Sequence, residues 1–174
     1  KKATVIRFYN KKFNYKFREM IKSRLLFNIL DKLLFDEVRE KSNLVYSISA
    51  SKNFDQKIPI ELISFYTYFN SDPKNIDIIK EKIDIEINKI KNKDFDLQIF
   101  KDQKLALKNN YKTSGETNSF WLGVLTDAKQ NGLNIERISY REAMLNSITV
   151  NDIVKLANYY FDENYLRSVS LVAE

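Results

Sequence analysis

The chain has 174 residues, 44% of them hydrophobic and 30% charged, with 3 Gly, 2 Pro and a net charge of +6. That composition excludes a disordered or low-complexity chain, and the length suits one core able to bury about 70% of the unfolded surface. With no cysteine and no histidine, disulfides, thiolate metal sites, Ser-His-Asp triads and His-bearing zinc motifs are all out of reach.

No apolar run approaches the roughly 20 residues that span a bilayer. The chain starts at Lys1 with no signal-like segment behind it, so residues 1–174 read as one domain cut from a longer protein. The positive net charge suggests a nucleic-acid partner, but lysines and acids alternate through "KNIDIIKEKIDIEINKIKNKD" (74–94). Such interleaving makes solvated helix faces rather than a stripe that tracks phosphates. EF-hand spacing and glycine-rich phosphate cradles are missing too.

"ATVIRFYN" (3–10) is β-rich and predicts an opening strand. From Tyr15 to about Lys41 the apolar spacing is helical and wider than one stripe, which predicts a central, buried helix. "LVYSISAS" (44–51) alternates, setting Leu44, Tyr46, Ile48 and Ala50 on one strand face. "KNFDQKIP" (52–59) reads as a loop and "ELISFYTYFN" (61–70) as a second strand, paired antiparallel with the first.

"SDPKN" (71–75) predicts a helix start, with Asp72 as cap and Pro73 where a missing N–H costs nothing. Ile76, Ile79, Ile83, Ile87 and Ile90 follow at spacings of 3 and 4. This run is too short for a coiled-coil seam and suits packing on a sheet. A further helix is expected from Asp94, carrying Leu97, Phe100, Leu107 and Tyr111, until "TSGET" (113–117) breaks or bends it. Another spans 118–132 and stops at Gly132 in the left-handed conformation. A short helix at 140–147 precedes one at 149–161, where Thr149 and Asp152 make a capping box. "YLRSVSLVA" (165–173) closes as a strand. The order predicts an α+β fold, an antiparallel sheet with helices packed on one face.

Within "LLFDEVREKSNLVYSISAS" (33–51), Arg39 and Tyr46 fall seven positions apart across a helix-to-strand join. Their plainest reading is structural. Arg39 offsets the partial charge of a helix C-terminus, Asn43 is a left-handed stop residue, and Tyr46 is a core aromatic.

The same stretch resembles the signature of the non-metal half of pitrilysin-family zinc peptidases. These inverzincins include insulin-degrading enzyme and the mitochondrial processing peptidases. Leu34, Val38, Arg39, Glu40, Leu44, Tyr46, Ile48 and Ala50 match its pattern, and Asn43 stands where a glycine is usual. The resemblance implies a processing-peptidase-like domain that binds no metal itself. It would face a homologous zinc-bearing domain, of the same or a partner chain, that carries H-x-x-E-H. By that likeness Arg39 would hold carbonyls of an extended peptide, and the Tyr46 hydroxyl would stabilise the oxyanion formed during zinc-assisted hydrolysis. The alternatives are a non-catalytic scaffold or presequence-binding subunit of the same family, or an unrelated basic binding module.

Overall fold

The computed structural model describes residues 2–55, 61–132 and 134–172. Among the described residues, four strands form one antiparallel sheet: β1 (Ala3–Lys12), β2 (Val45–Asp55), β3 (Leu62–Ser71) and β4 (Leu166–Val172), in the spatial order β2-β3-β1-β4. The expected α+β architecture is present, and β2 and β3 pair as antiparallel neighbours. The supposed loop at 52–59 needs correction. Lys52 to Asp55 continue β2, paired with Phe65 to Leu62, because Phe54 supplies one more inward apolar position; Gln56 to Pro59 lie outside the described residues.

The α-helices follow the sequence pattern closely: α1 (Phe17–Leu34), α2 (Ile76–Lys91), α3 (Leu97–Ser114), α4 (Asn118–Asn131), α5 (Arg141–Asn146) and α6 (Val150–Tyr160). Their ends form where side chains satisfy the orphan amides of a first turn. Asp72 accepts from Lys74 N at 3.0 Å, Asp96 caps α3, and Thr149 with Asp152 closes both halves of a capping box on α6. Gly132 ends α4 at φ 64°. The predicted 15–41 helix, however, changes winding. After Leu34 it opens into a π-helical segment, Phe35–Lys41.

Alternation fixes which side of the sheet meets the helices. In β1, Ala3, Val5, Arg7, Tyr9 and Lys11 are buried, and in β3 so are Ile63, Phe65, Thr67, Phe69 and Ser71. Helix α1 supplies the other half of the core through Leu25, Leu26, Ile29, Leu30 and Leu34. Phe65 is its centre. Its ring stacks on Phe27 at 4.5 Å and 15°, with Tyr160 at 4.5 Å and Phe161 at 5.5 Å. The isoleucine row of α2 buries Ile79, Ile83, Ile87 and Ile90, as its spacing predicts. Arg7 ties the sheet to this helix, donating to Lys80 O at 2.9 Å and to both Asp84 oxygens at 2.7 and 3.0 Å.

Lys52 is an ill-matched member of this inner face. It sits opposite Phe65, with Nζ 5.6 Å from the Phe27 ring centroid and 5.5 Å from that of Phe54. Burial first, and the charge of Arg24 second, push its pKa down to about 8. Between about pH 8 and the ordinary lysine value the unfolded chain therefore binds more protons, and stability rises with pH. Lys52→Met is expected to stabilise the fold by about 1–2 kcal/mol at pH 7. That gain should shrink by pH 10, where the native lysine is already neutral. Thermal melts at the two pH values check this, and destabilisation at both would contradict it.

Candidate functional site

The Arg39–Tyr46 join contains three local departures from regular geometry. The first is the π-helical segment, whose wider turns are uncommon and occur often at functional sites. Arg39 lies on it with its side chain 48% exposed, its Cζ 5.0 Å from the Phe35 ring centroid and its Nε 3.9 Å from Glu40 Oε1. The aromatic contact and a long, exposed ion pair leave most of the guanidinium's five donors available.

The second is Asn43, which takes φ 52° as the stop residue, as the sequence predicts. Its N–H donates to Arg39 O at 3.1 Å, and Leu44 N–H donates to Val38 O at 3.4 Å, so the helix end is closed as the chain reverses.

The third is a β-bulge. Val45 pairs with Ser71 and Ser47 with Asn70, so Tyr46 is an extra residue with no partner on β3. An extra residue shifts side-chain parity by one. Val45 and Ile48 therefore both turn into the core, at 7% and 8% exposure, while Tyr46 stands out at 61%. This corrects the simple alternation, which placed Tyr46 with Leu44, Ile48 and Ala50 on the inner face. Leu44 and Ala50 do pack partly against the core; the phenol does not join them.

The residue that caps the Tyr46 ring is Lys2, with Nζ 5.3 Å from the centroid. Beside the bulge, on the face away from the helices, runs a polar chain that sequence reasoning missed. Thr4 Oγ1 donates to Asn70 Oδ1 at 2.7 Å, and Asn70 Nδ2 donates to Tyr68 Oη at 2.8 Å and to Ser47 Oγ at 3.1 Å. Its signal was the alternation of β3, which sends Tyr66, Tyr68 and Asn70 outward. The network fixes Asn70 and Ser47, the first regular pair after the bulge, and so holds the register that expels Tyr46. Arg39 and Tyr46 share no hydrogen bond with each other. What they share is a position, one on each side of the Asn43 reversal.

The donor set of this chain does not fit a zinc ion. It offers no imidazole and no thiolate, and among the described residues no three Asp or Glu side chains gather into a metal-binding group. No helix among them is long and apolar enough to cross a membrane.

The family profile described as "Peptidase M16 inactive domain" matches residues 5–107, more than half of the chain. No curated protein sequence matches. Among solved structures, the periplasmic protease PqqL from Escherichia coli superposes with a TM-score of 0.80 at 15% identity, covering 99% of this chain and 19% of that one. A protease from Helicobacter pylori gives a TM-score of 0.78 at 18% identity, over 99% of this chain and 41% of that one. The peptidase M16 inactive domain from Pseudomonas fluorescens gives 0.81 at 15% identity, with 98% and 41% covered. The chain thus spans between about a fifth and two fifths of these relatives, and at such identities they establish the fold.

Proposed function

Because the chain belongs to the peptidase M16 inactive-domain family, a family of zinc proteases, we propose that it is the substrate-holding half of a zinc metalloendopeptidase. On this reading the metal sits in a homologous domain of the same or a partner chain. The present domain contributes donors to a peptide held in extended form between the two. The observation that supports it best is the bulge that lifts Tyr46 out of the sheet. A phenol needed only for packing would follow strand parity into the core, and this one is displaced from it by an added residue.

The roles follow from donor chemistry. A guanidinium offers several N–H groups in a planar fork, suited to gripping backbone carbonyls of an extended chain. A phenol offers one O–H, suited to an oxygen on which negative charge develops as the scissile carbonyl becomes tetrahedral. Neither group delivers the nucleophile, so the domain is inert without its metal-bearing counterpart.

Arg39 provides the first test. A hydrogen bond from a charged donor contributes about 1.5–3 kcal/mol, so Arg39→Leu in the intact peptidase should raise KM by about 10- to 100-fold. The change in kcat should be smaller, since substrate carbonyls are gripped in ground and transition states alike. Folding stability should move by less than about 0.5 kcal/mol, because the side chain is half exposed and weakly paired. Steady-state kinetics on a fluorogenic peptide separate the two constants. An unaltered KM would remove Arg39 from the site and favour a scaffold role for the domain.

A further inference from the structure

On the helical side, away from the bulge, α1, α3, α4, α5, the end of β2 and the 3-10 turn Ile135–Ile138 line an open cavity of about 450 Å³. Phe17, Met20, Ile21, Phe54, Phe120 and Val124 give it apolar walls. Three guanidiniums join them, from Arg24, Arg137 and Arg141, against one acid, Asp127. An apolar cavity that gathers three cations around one anion is electrostatically incomplete.

Arg137 shows where the deficit lies. Its side chain is 12% exposed and Nη2 donates to Asp127 Oδ2 at 2.6 Å, while Cζ lies 5.0 Å from the Phe17 ring centroid. Its Nε and Nη1 are fully buried and have no hydrogen-bond partner among the described residues. Two unpaired donors of a permanently charged group, desolvated at the wall of a cavity, call for an acceptor, and an anionic one best. Arg141 is otherwise engaged, donating to Tyr111 O and lying 4.9 Å from the Phe120 ring centroid, so it adds field rather than a vacant donor. The local excess of positive charge is felt nearby, since Arg24 contributes to lowering the Lys52 pKa.

The geometry points to a binding site for a carboxylate carrying an apolar body, an oxygen accepting from a free Arg137 donor, Nη1 or Nε, and its hydrocarbon part among the phenylalanines. A hydrogen bond from a guanidinium to a carboxylate is charged at both ends and roughly twice as strong as one between neutral groups. The volume falls in the range of small-molecule pockets. This site is independent of the role assigned to Arg39 and Tyr46.

Isothermal titration of the full-length protein with decanoate tests it, with decanol as the uncharged control of equal chain length. One decanoate should bind per chain, and decanol at least about tenfold more weakly, since a charge-assisted hydrogen bond is lost. Arg137→Met should abolish the preference for decanoate. Gly123 lines the cavity on α4, and a Cβ added there meets nothing within 4 Å. Gly123→Phe should therefore fill the space and remove binding while leaving Arg137 and its partner untouched. Tyr46→Phe should bind decanoate as the parent does, so failure of the peptidase reading and failure of this one are separable. Competition by a dipeptide ending in phenylalanine, as acid but not as amide, would assign the carboxylate to peptide C-termini; absence of competition would assign it to free carboxylates. Either result upholds a carboxylate site. Equal affinity for decanoate and decanol, or parental decanoate affinity in either cavity variant, would overturn it.

Discussion

On the role proposed for its hydroxyl, Tyr46→Phe in the intact protein is expected to lower kcat for peptide hydrolysis by about 100- to 1000-fold, with KM changed little. The substitution removes one oxygen from a ring that is 61% exposed. No core contact and no intramolecular hydrogen bond of that hydroxyl is lost, so stability should stay within about 0.5 kcal/mol of the parent. The size of the effect follows from the place proposed for the hydroxyl. A donor aimed at developing negative charge in a site shielded from water stabilises the transition state far more than the neutral carbonyl that precedes it. Deleting Tyr46 outright is an informative companion. Val45 and Ser47 would then face Ser71 and Asn70 as consecutive regular pairs, with Val45 and Ile48 still directed inward. The deletion should therefore fold and be as impaired as Tyr46→Phe. Full activity in either variant would place the phenol outside the reaction.

Phe65→Ala is expected to cost about 3–5 kcal/mol, the range for removing a large aromatic from a closely packed interior. Phe65 is fully buried between the stacked Phe27 ring, Tyr160 and Phe161, and it belongs to β3, the strand bonded to both β1 and β2. A void there separates α1 and α6 from the sheet at once. A loss of that size is a large part of the total stability of most domains of this length. Denaturant titration measures it, and a loss below about 1 kcal/mol would show that the centre of the core lies elsewhere.

Most of the fold was legible because its signals are local. Asp72 with Pro73, Thr149 with Asp152, and Gly132 each act within one helical turn, and each ends or begins a helix where the pattern says. The isoleucine row of α2 likewise buries the face its spacing predicts. The Arg39–Tyr46 join was legible only in part. Asn43 was readable, since few residues other than glycine accept a positive φ. The π-helical winding of Phe35–Lys41 and the bulge at Tyr46 were not. Both arise from long-range fitting: α1 must reach β2, and β2 must keep Val45 and Ile48 inward against Ser71 and Phe69 of β3. Strict alternation assumes one residue per ladder step, so a single added residue moves Tyr46 to the opposite face. The Thr4–Asn70–Ser47 network joins three strands: the alternation of β3 turns Asn70 outward, but strand pairing decides which neighbours it meets. The Arg137 cavity was hidden for the same reason, being assembled from six separate elements.

An inserted residue carries the Tyr46 phenol out of a packed sheet, on our proposal to meet charge that appears only during peptide hydrolysis. Inhibition by a phosphonamidate peptide measures this most directly, because its tetrahedral, anionic phosphorus group imitates that charge. Tyr46→Phe should weaken the phosphonamidate by the same factor, about 100-fold or more, by which it lowers kcat/KM, while the matched substrate peptide binds as before. Undiminished phosphonamidate inhibition in a slow Tyr46→Phe enzyme would contradict it.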